Sequence, residues 1–487
     1  MDATFDYVVL GGGTAGSVVA ARLAEDPSIT VCLVEAGPSD EGLGEILDVQ
    51  RWPELIQSRL DWDYETENAA GANQTIRGTR GRVLGGCSSD NVAIAYRAPD
   101  EDLRAWERLG ATGWTPENCR TYFDRVFAKT GLEWAPTTCD VAQAFIEACH
   151  EAGFPDLPAI ADGSSQGAGR TSLNSRNLMR RSASIAYLHP LASLPPNFEV
   201  RLETYAYRVL IVEGTAVGAE TSSGILNARR EVIVCEGAFE SPTLLMLSGI
   251  GPAQHLRSFD IEVKADLPVG AGLVAHIMAW VTFRTKRPIT QPRTTYFDAV
   301  LLAAVDGARG ATPELMMWLD SLPDSIDPGS SEPRSFSLEP FVTHARSQGW
   351  VRLRSDNPTD PPVINYGFFT DPEEHDLSTV VRGLELARRI ASQPALKEWV
   401  EEEIVPGPSV ICESELREYA RATSVSFDHP MATCRIGSVV DADLHVLGIG
   451  GLRVADASVF PECLGVSPFI TVMMIGERCA DLIRSAR

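Results

Sequence analysis

Residues 6–35, DYVVLGGGTAGSVVAARLAEDPSITVCLVE, limit what this chain can fold into more than any other stretch. An apolar run from Tyr7 to Leu10 stops at three glycines. Ala15, Gly16, Val18, Val19, Ala20 and Leu23 then recur at helical spacing, and a second apolar run from Ile29 to Val34 ends at Glu35. This pattern predicts strand, tight turn, helix, strand. Gly11, Gly13 and Gly16 fill a G-x-G-x-x-G pattern. Such glycines serve a turn with unusual backbone angles, close approach of a pyrophosphate to bare backbone, and tight helix-on-strand packing. The helix start, at Thr14 and Ala15, offers free N–H groups to phosphate oxygens. Glu35 lies 19 residues past Gly16, followed by Ala36. A carboxylate there accepts hydrogen bonds from a ribose diol and repels a 2′-phosphate. The expected half-ligand is ADP-ribose without that phosphate, from FAD or NAD.

A chain of 487 residues is too long for one ordinary core and predicts two or three units. No apolar run approaches the ~18 residues of a membrane span, and the N-terminal MDATFD lacks the basic and apolar regions of a secretory signal. A cytoplasmic protein is the expectation. The ten cysteines show no C-x-x-C pair and no regular spacing, which points to neither a metal site nor a disulfide framework. A net charge of −24 argues against nucleic acid or an anionic membrane as partner and is compatible with a cationic small substrate.

Further along, residues 81–99 (GRVLGGCSSDNVAIAYRAP) place Gly85 and Gly86 before Ser88, Ser89, Asp90 and Asn91, and then an apolar segment containing Ala93. Small residues followed by short polar side chains suit the lining of a flat polar ligand. Helical periodicity covers residues 100–110, with Asp100 as cap, and also 116–130, 140–153, 371–393, 413–423 and 470–484. The aromatic cluster of Trp52, Trp62 and Tyr64 is either a ligand wall or core. In residues 236–252, Ser241 reads as a helix cap with Pro242 at the first helical position. Residues 320–334 read as a Pro/Ser/Asp-rich loop. Val454-Ala455-Asp456-Ala457-Ser458 reads as strand into turn, with Asp456 placed to hydrogen-bond a cofactor, so the C-terminal segment returns to the cofactor region.

Together these motifs resemble the glucose-methanol-choline (GMC) flavin oxidoreductases over nearly the whole chain and in family order. The matching residues are GGGTAG with Glu35, GRVLGGCSSDN with Asn91, GAFESPTLLMLSGIG, HPMATCRIG, and GLRVADASVFP with MMIGERCADLI. GGCSS and the closing segment are most similar to the choline oxidase branch. The resemblance implies an α/β fold: a Rossmann-like FAD-binding domain (residues 1–154, 192–272 and 429–487) and a substrate domain (155–191 and 273–428) with an antiparallel sheet covered by helices. It implies FAD, with the adenine half on residues 11–16 and Glu35 and the flavin half near Gly86, Ser89, Asp90, Asn91, Asp456, Ala457, Pro468 and Phe469.

The implied reaction oxidises an alcohol to a carbonyl compound, a base taking the hydroxyl proton while hydride passes to flavin N5. Oxygen or another acceptor reoxidises the flavin, in a monomer or homodimer. His429 falls on the family's active-site histidine, and imidazole suits a base near neutrality. Four departures qualify this. Ser467 stands where the family has a second histidine or asparagine. Asp90 replaces the histidine that bonds flavin covalently in choline-oxidase-like sequences, so non-covalent FAD is expected. Met278 replaces a carboxylate that meets the trimethylammonium group, and Trp318 a further active-site histidine. His276 is retained in a structural capacity. These changes predict an apolar or aromatic alcohol, or a natural-product intermediate, rather than choline. The alternative is a non-redox lyase on the same FAD scaffold, as in hydroxynitrile lyases.

Overall fold

The computed structural model describes residues 3–67, 75–136, 139–191, 195–290, 295–304, 312–321 and 333–486. The expected loop at 320–334 lies mostly outside these residues. The glycine stretch folds as strand Ala3–Leu10, helix Thr14–Ala24 and strand Val31–Val34. Its sheet runs Phe198–Arg201, Val31–Val34, Ala3–Leu10, Gly224–Val234, Thr215–Thr221, Ala206–Val212, and Leu452–Val454 also pairs with Gly224–Val234. Val8 lies opposite both Cys32 and Val232 in parallel register, whereas the Ala206–Thr221 hairpin and its link to Gly224–Val234 are antiparallel. Parallel strands are covered on both faces, which is why Val8, Val9, Leu10, Val31 and Leu33 form unbroken apolar runs, all buried. The C-terminal helix Phe469–Ser485 packs on helices Thr14–Ala24 and Pro116–Thr130. Gly476 allows that crossing: a methyl group there would lie 2.9 Å from the Ala15 carbonyl oxygen.

A second sheet runs Val400–Val405, Val281–Thr285, Ser335–Val342, Leu315–Asp320, Ala299–Ala303, Gly167–Arg170, antiparallel throughout. Ile277–Met278 joins it to Val425–Ser426. Helix His375–Ala391 packs on strands Leu315–Asp320 and Ser335–Val342, burying Leu377, Val380, Val381 and Leu384. The fold is therefore α/β, a parallel sheet with a glycine turn beside an antiparallel sheet backed by helix.

Three helix starts differ notably from the sequence reading, one being the helix expected from residue 371, which begins at His375. Helix Asp100–Arg108 is capped by Pro99, so Asp100 is its first residue. The helix expected to begin at Ser241 runs Gly237–Leu247 and places Ser241 and Pro242 inside it. The cap comes from far along the chain: Asp456 Oδ2 accepts from the Gly237 N–H at 2.8 Å and from Ser241 Oγ at 2.5 Å. Pro242 cannot donate to the Ala238 carbonyl, and Thr433 Oγ1 donates there instead, at 2.7 Å. Neither compensation is visible in the local sequence.

Among the described residues, no helix is long and apolar enough to cross a membrane and no three His, Cys, Asp or Glu are grouped to hold a metal. All ten cysteines are free; Cys412 is exposed, Cys87 partly buried and the rest buried.

Candidate active site

A cavity of about 840 Å³ runs between the two sheets. One end is the glycine turn. Gly11, Gly13, Thr14, Ala15, Glu35, Ala36 and Gly86 line it, and Gly13 and Gly86 meet so closely that a methyl group on Gly86 would lie 2.7 Å from the Gly13 Cα. Gly16 lies behind this wall, where a methyl group would sit 1.9 Å from the Gly11 carbonyl oxygen. Its role is packing rather than contact. Glu35 Oε2 accepts from the Gly12 N–H at 2.9 Å and Oε1 from the Gly37 N–H at 2.7 Å. Burial pushes its carboxyl up to about 7. Each oxygen keeps a lone pair for a diol.

The middle of the cavity is lined by Asp90, Asn91, Asp456, Ala457, Pro468 and Phe469. Asp90 Oδ2 is buried and has no hydrogen-bond partner among the described residues, and burial raises the Asp90 carboxyl to about 7. Asn91 Oδ1 already accepts from Arg180 Nη1 and the Ala93 N–H, which leaves its amide N–H₂ for a ligand. Ser89 and Ala93, both expected at the cofactor, do not reach the cavity. Ser89 Oγ donates to the Leu84 carbonyl at 2.9 Å, and Ala93 is buried with φ +57°. Asp456 touches the cavity, but Gly237, Ser241 and Ser458 occupy its oxygens, so it organises the helix start beside the cavity. A glycine cradle, a strand-end carboxylate and orphaned polar atoms in one elongated cavity fit a flavin dinucleotide.

His429 lies at the opposite end, with Ser467, Met278, Trp318, Phe297 and Phe427. Sheet register sets its partner. Ile277 pairs with Ser426 and Val274 with Met431, so His276 is held against His429. His276 is fully buried, and its Nε2 lies 2.6 Å from the Leu464 carbonyl oxygen while its Nδ1 lies 2.8 Å from His429 Nδ1. A carbonyl only accepts, so His276 carries its proton on Nε2, and burial holds it neutral by lowering it to about 4. Its Nδ1 is then an acceptor, His429 Nδ1 must donate, and His429 Nε2 is left with a lone pair. Burial, then His276 and Arg80, hold the His429 imidazole well below its ordinary value. Ser467 Oγ is buried without a hydrogen-bond partner among the described residues.

Several wall residues carried no recognisable signal in the sequence. Arg80 donates to the Asp428 carbonyl and pairs with the Asp428 carboxylate at 3.5 Å. Glu236, Glu240, Asp320 and Glu339 also face the cavity. Trp62 and Tyr64, left open between wall and core, line it, and Tyr64 donates to Glu240.

The fold and cavity define a flavin-dependent oxidoreductase architecture. GMC oxidoreductase family profiles match residues 5–278 and 345–476, and the chain belongs to the GMC oxidoreductase family, enzymes that oxidise alcohols and bind FAD. It is 40% identical to the choline oxidase of Arthrobacter globiformis over 100% of this chain and 95% of that protein. It is 34% identical to an oxygen-dependent choline dehydrogenase of Rhizobium rhizogenes over 98% and 95% of the two chains. Pyridoxine 4-oxidase from Mesorbium loti superposes with a TM-score of 0.91 at 27% identity, covering 99% of each chain.

Proposed function

We propose that this protein oxidises a primary or secondary alcohol to a carbonyl compound, with His429 Nε2 taking the hydroxyl proton. The observation that carries this reading is the Leu464–His276–His429 hydrogen-bond chain, which leaves one unprotonated ring nitrogen on a residue lining the cavity. FAD, when bound along the cavity, supplies the acceptor for the carbinol hydride. The residues that would hold it are the glycine cradle of Gly11, Gly13 and Gly86 with Thr14 and Ala15, then Glu35, and Asn91, Ala457, Pro468 and Phe469. His276 positions the base, Ser467 Oγ donates one hydrogen bond to the alkoxide, and Arg80 disfavours a charged His429. A low imidazole value is an advantage here, because the base must be neutral when substrate arrives.

Met278, Phe297, Trp318 and Phe427 make the wall around the base largely apolar, which supports an aromatic alcohol over choline. Asp90 at the covalent-linkage position supports non-covalent FAD. We assign residues 1–154, 192–272 and 429–487 to cofactor binding and 155–191 and 273–428 to substrate binding, in a cytoplasmic monomer or homodimer that uses oxygen or another acceptor. Anaerobic mixing with a panel of benzylic alcohols tests the reaction. Bleaching of the visible flavin band is expected, and turnover without bleaching would establish the lyase instead. Acid precipitation tests the linkage: flavin should stay in the supernatant, and a yellow pellet would refute non-covalent binding.

A further inference from the structure

Strands Leu315–Asp320 and Ser335–Val342 are antiparallel, with Trp318 directly opposite Glu339 and Asp320 one side-chain step further along the same face. All three residues line the cavity. Trp318 is fully buried, and its indole N–H has no acceptor among the described residues. Beside it, Glu339 is 8% exposed and hydrogen-bonded to Asp320. Burial and Asp320 hold the Glu339 carboxyl well above the usual carboxylate range. Two adjacent carboxyls of this kind share a proton between them.

The wall beyond the base thus presents a buried donor next to strong acceptors. A hydroxyl is the smallest group that satisfies both, accepting from the indole and donating to a carboxylate. An ammonium group satisfies only the carboxylates, and a methyl group neither. The subsite is about one ring away from the base: Trp318 and Phe427 have centroids 4.5 Å apart, and Phe427 and His429 5.2 Å apart.

We propose that Trp318 Nε1 and the Asp320–Glu339 pair form a specificity subsite for a second, distal hydroxyl of the substrate, so that the preferred substrates are hydroxyaryl alcohols or rigid diols. The proposal rests on the alcohol-oxidising reading above and refines its apolar wall.

Calorimetric titration of the FAD-loaded protein with p-cresol and with p-xylene tests the subsite without any turnover. Cresol is expected to bind about tenfold more tightly or better, because a site built to hydrogen-bond a hydroxyl rejects its methyl isostere. Trp318→Phe and Glu339→Leu should each erase that preference, bringing the p-cresol and p-xylene affinities together. Equal affinities in the unaltered protein overturn the subsite even if neither variant folds, as does a preference that survives both substitutions. In a second arm, 4-hydroxybenzyl alcohol should reduce the flavin anaerobically at least about tenfold faster than 4-methylbenzyl alcohol at low concentration. Equal rates count against the subsite. Selective cresol binding with no bleaching by either alcohol would leave the subsite standing and remove the alcohol-oxidising reading.

Discussion

The two ends of the cavity are built on opposite principles. At the glycine end, the wall offers backbone N–H groups and the Glu35 carboxyl from residues 11–36 and Gly86, with Thr204, Cys235 and Glu236 alongside. At the histidine end, His276, Met278, Trp318, Glu339, Phe427, His429 and Ser467 arrive from five separate segments spread over almost two hundred residues. A dinucleotide has an invariant shape that bare backbone can grip. An alcohol varies between relatives, so its contacts are side chains on a scaffold that can change without disturbing the cofactor turn.

If the ends are this independent, substitutions should separate flavin binding from turnover. Gly16→Ala should have the largest effect, since a methyl group 1.9 Å from the Gly11 carbonyl cannot be accommodated without moving the strand–helix contact. Colourless or insoluble protein is expected, and a yellow, active variant would break the comparison at its strongest point. His429→Gln should leave the flavin spectrum intact while kcat for alcohol falls about 10²–10⁴-fold. Loss of flavin from that variant would show the two ends to be coupled.

His276→Phe should cost less, about 10–10² in kcat, by releasing the ring orientation of His429. It also has a pH signature. Burial and His276 lower the His429 value, so in the unaltered protein kcat/KM should stay level through neutrality and fall only well below pH 6.5. Removing His276 raises the His429 value and moves the acid limb to higher pH. An unmoved limb would reduce His276 to packing. Thr433→Val leaves the Ala238 carbonyl without a donor at Pro242 and should cost about 1–2 kcal/mol of stability by denaturant titration. Ser467→Ala should have the smallest effect, under about tenfold in kcat, because a neutral hydroxyl adds a single hydrogen bond. A thousandfold loss would make Ser467 an indispensable partner of the base.

Legibility followed the same division. The strand–turn–helix–strand unit, the helices over residues 116–130 and 413–423, and the return of the C-terminal helix could be read from periodicity, because each is specified by residues adjacent in the chain. The placement of His429 came from its motif. Ser89 and Ala93 were expected at the cofactor, and the fold turns both away from the cavity that Asp90, Asn91, Val92 and Ile94 line, a choice local sequence does not show. His276 looked merely structural, since nothing in residues 268–277 indicates that its ring will meet His429. Ser241 looked like a cap because the real cap, Asp456, lies 215 residues away.

Alone, the amino-acid order carried the glycine turn, the strand-end carboxylate Glu35 and the choice of His429 as the proposed base. These depend on local backbone geometry and on one reactive group. The tertiary structure decided which nitrogen of His429 is free, that a buried indole and a carboxyl pair share one wall, and that a helix is capped by a distant aspartate. Each of those needs two strands or loops in register, and register is set by the packing of the whole sheet.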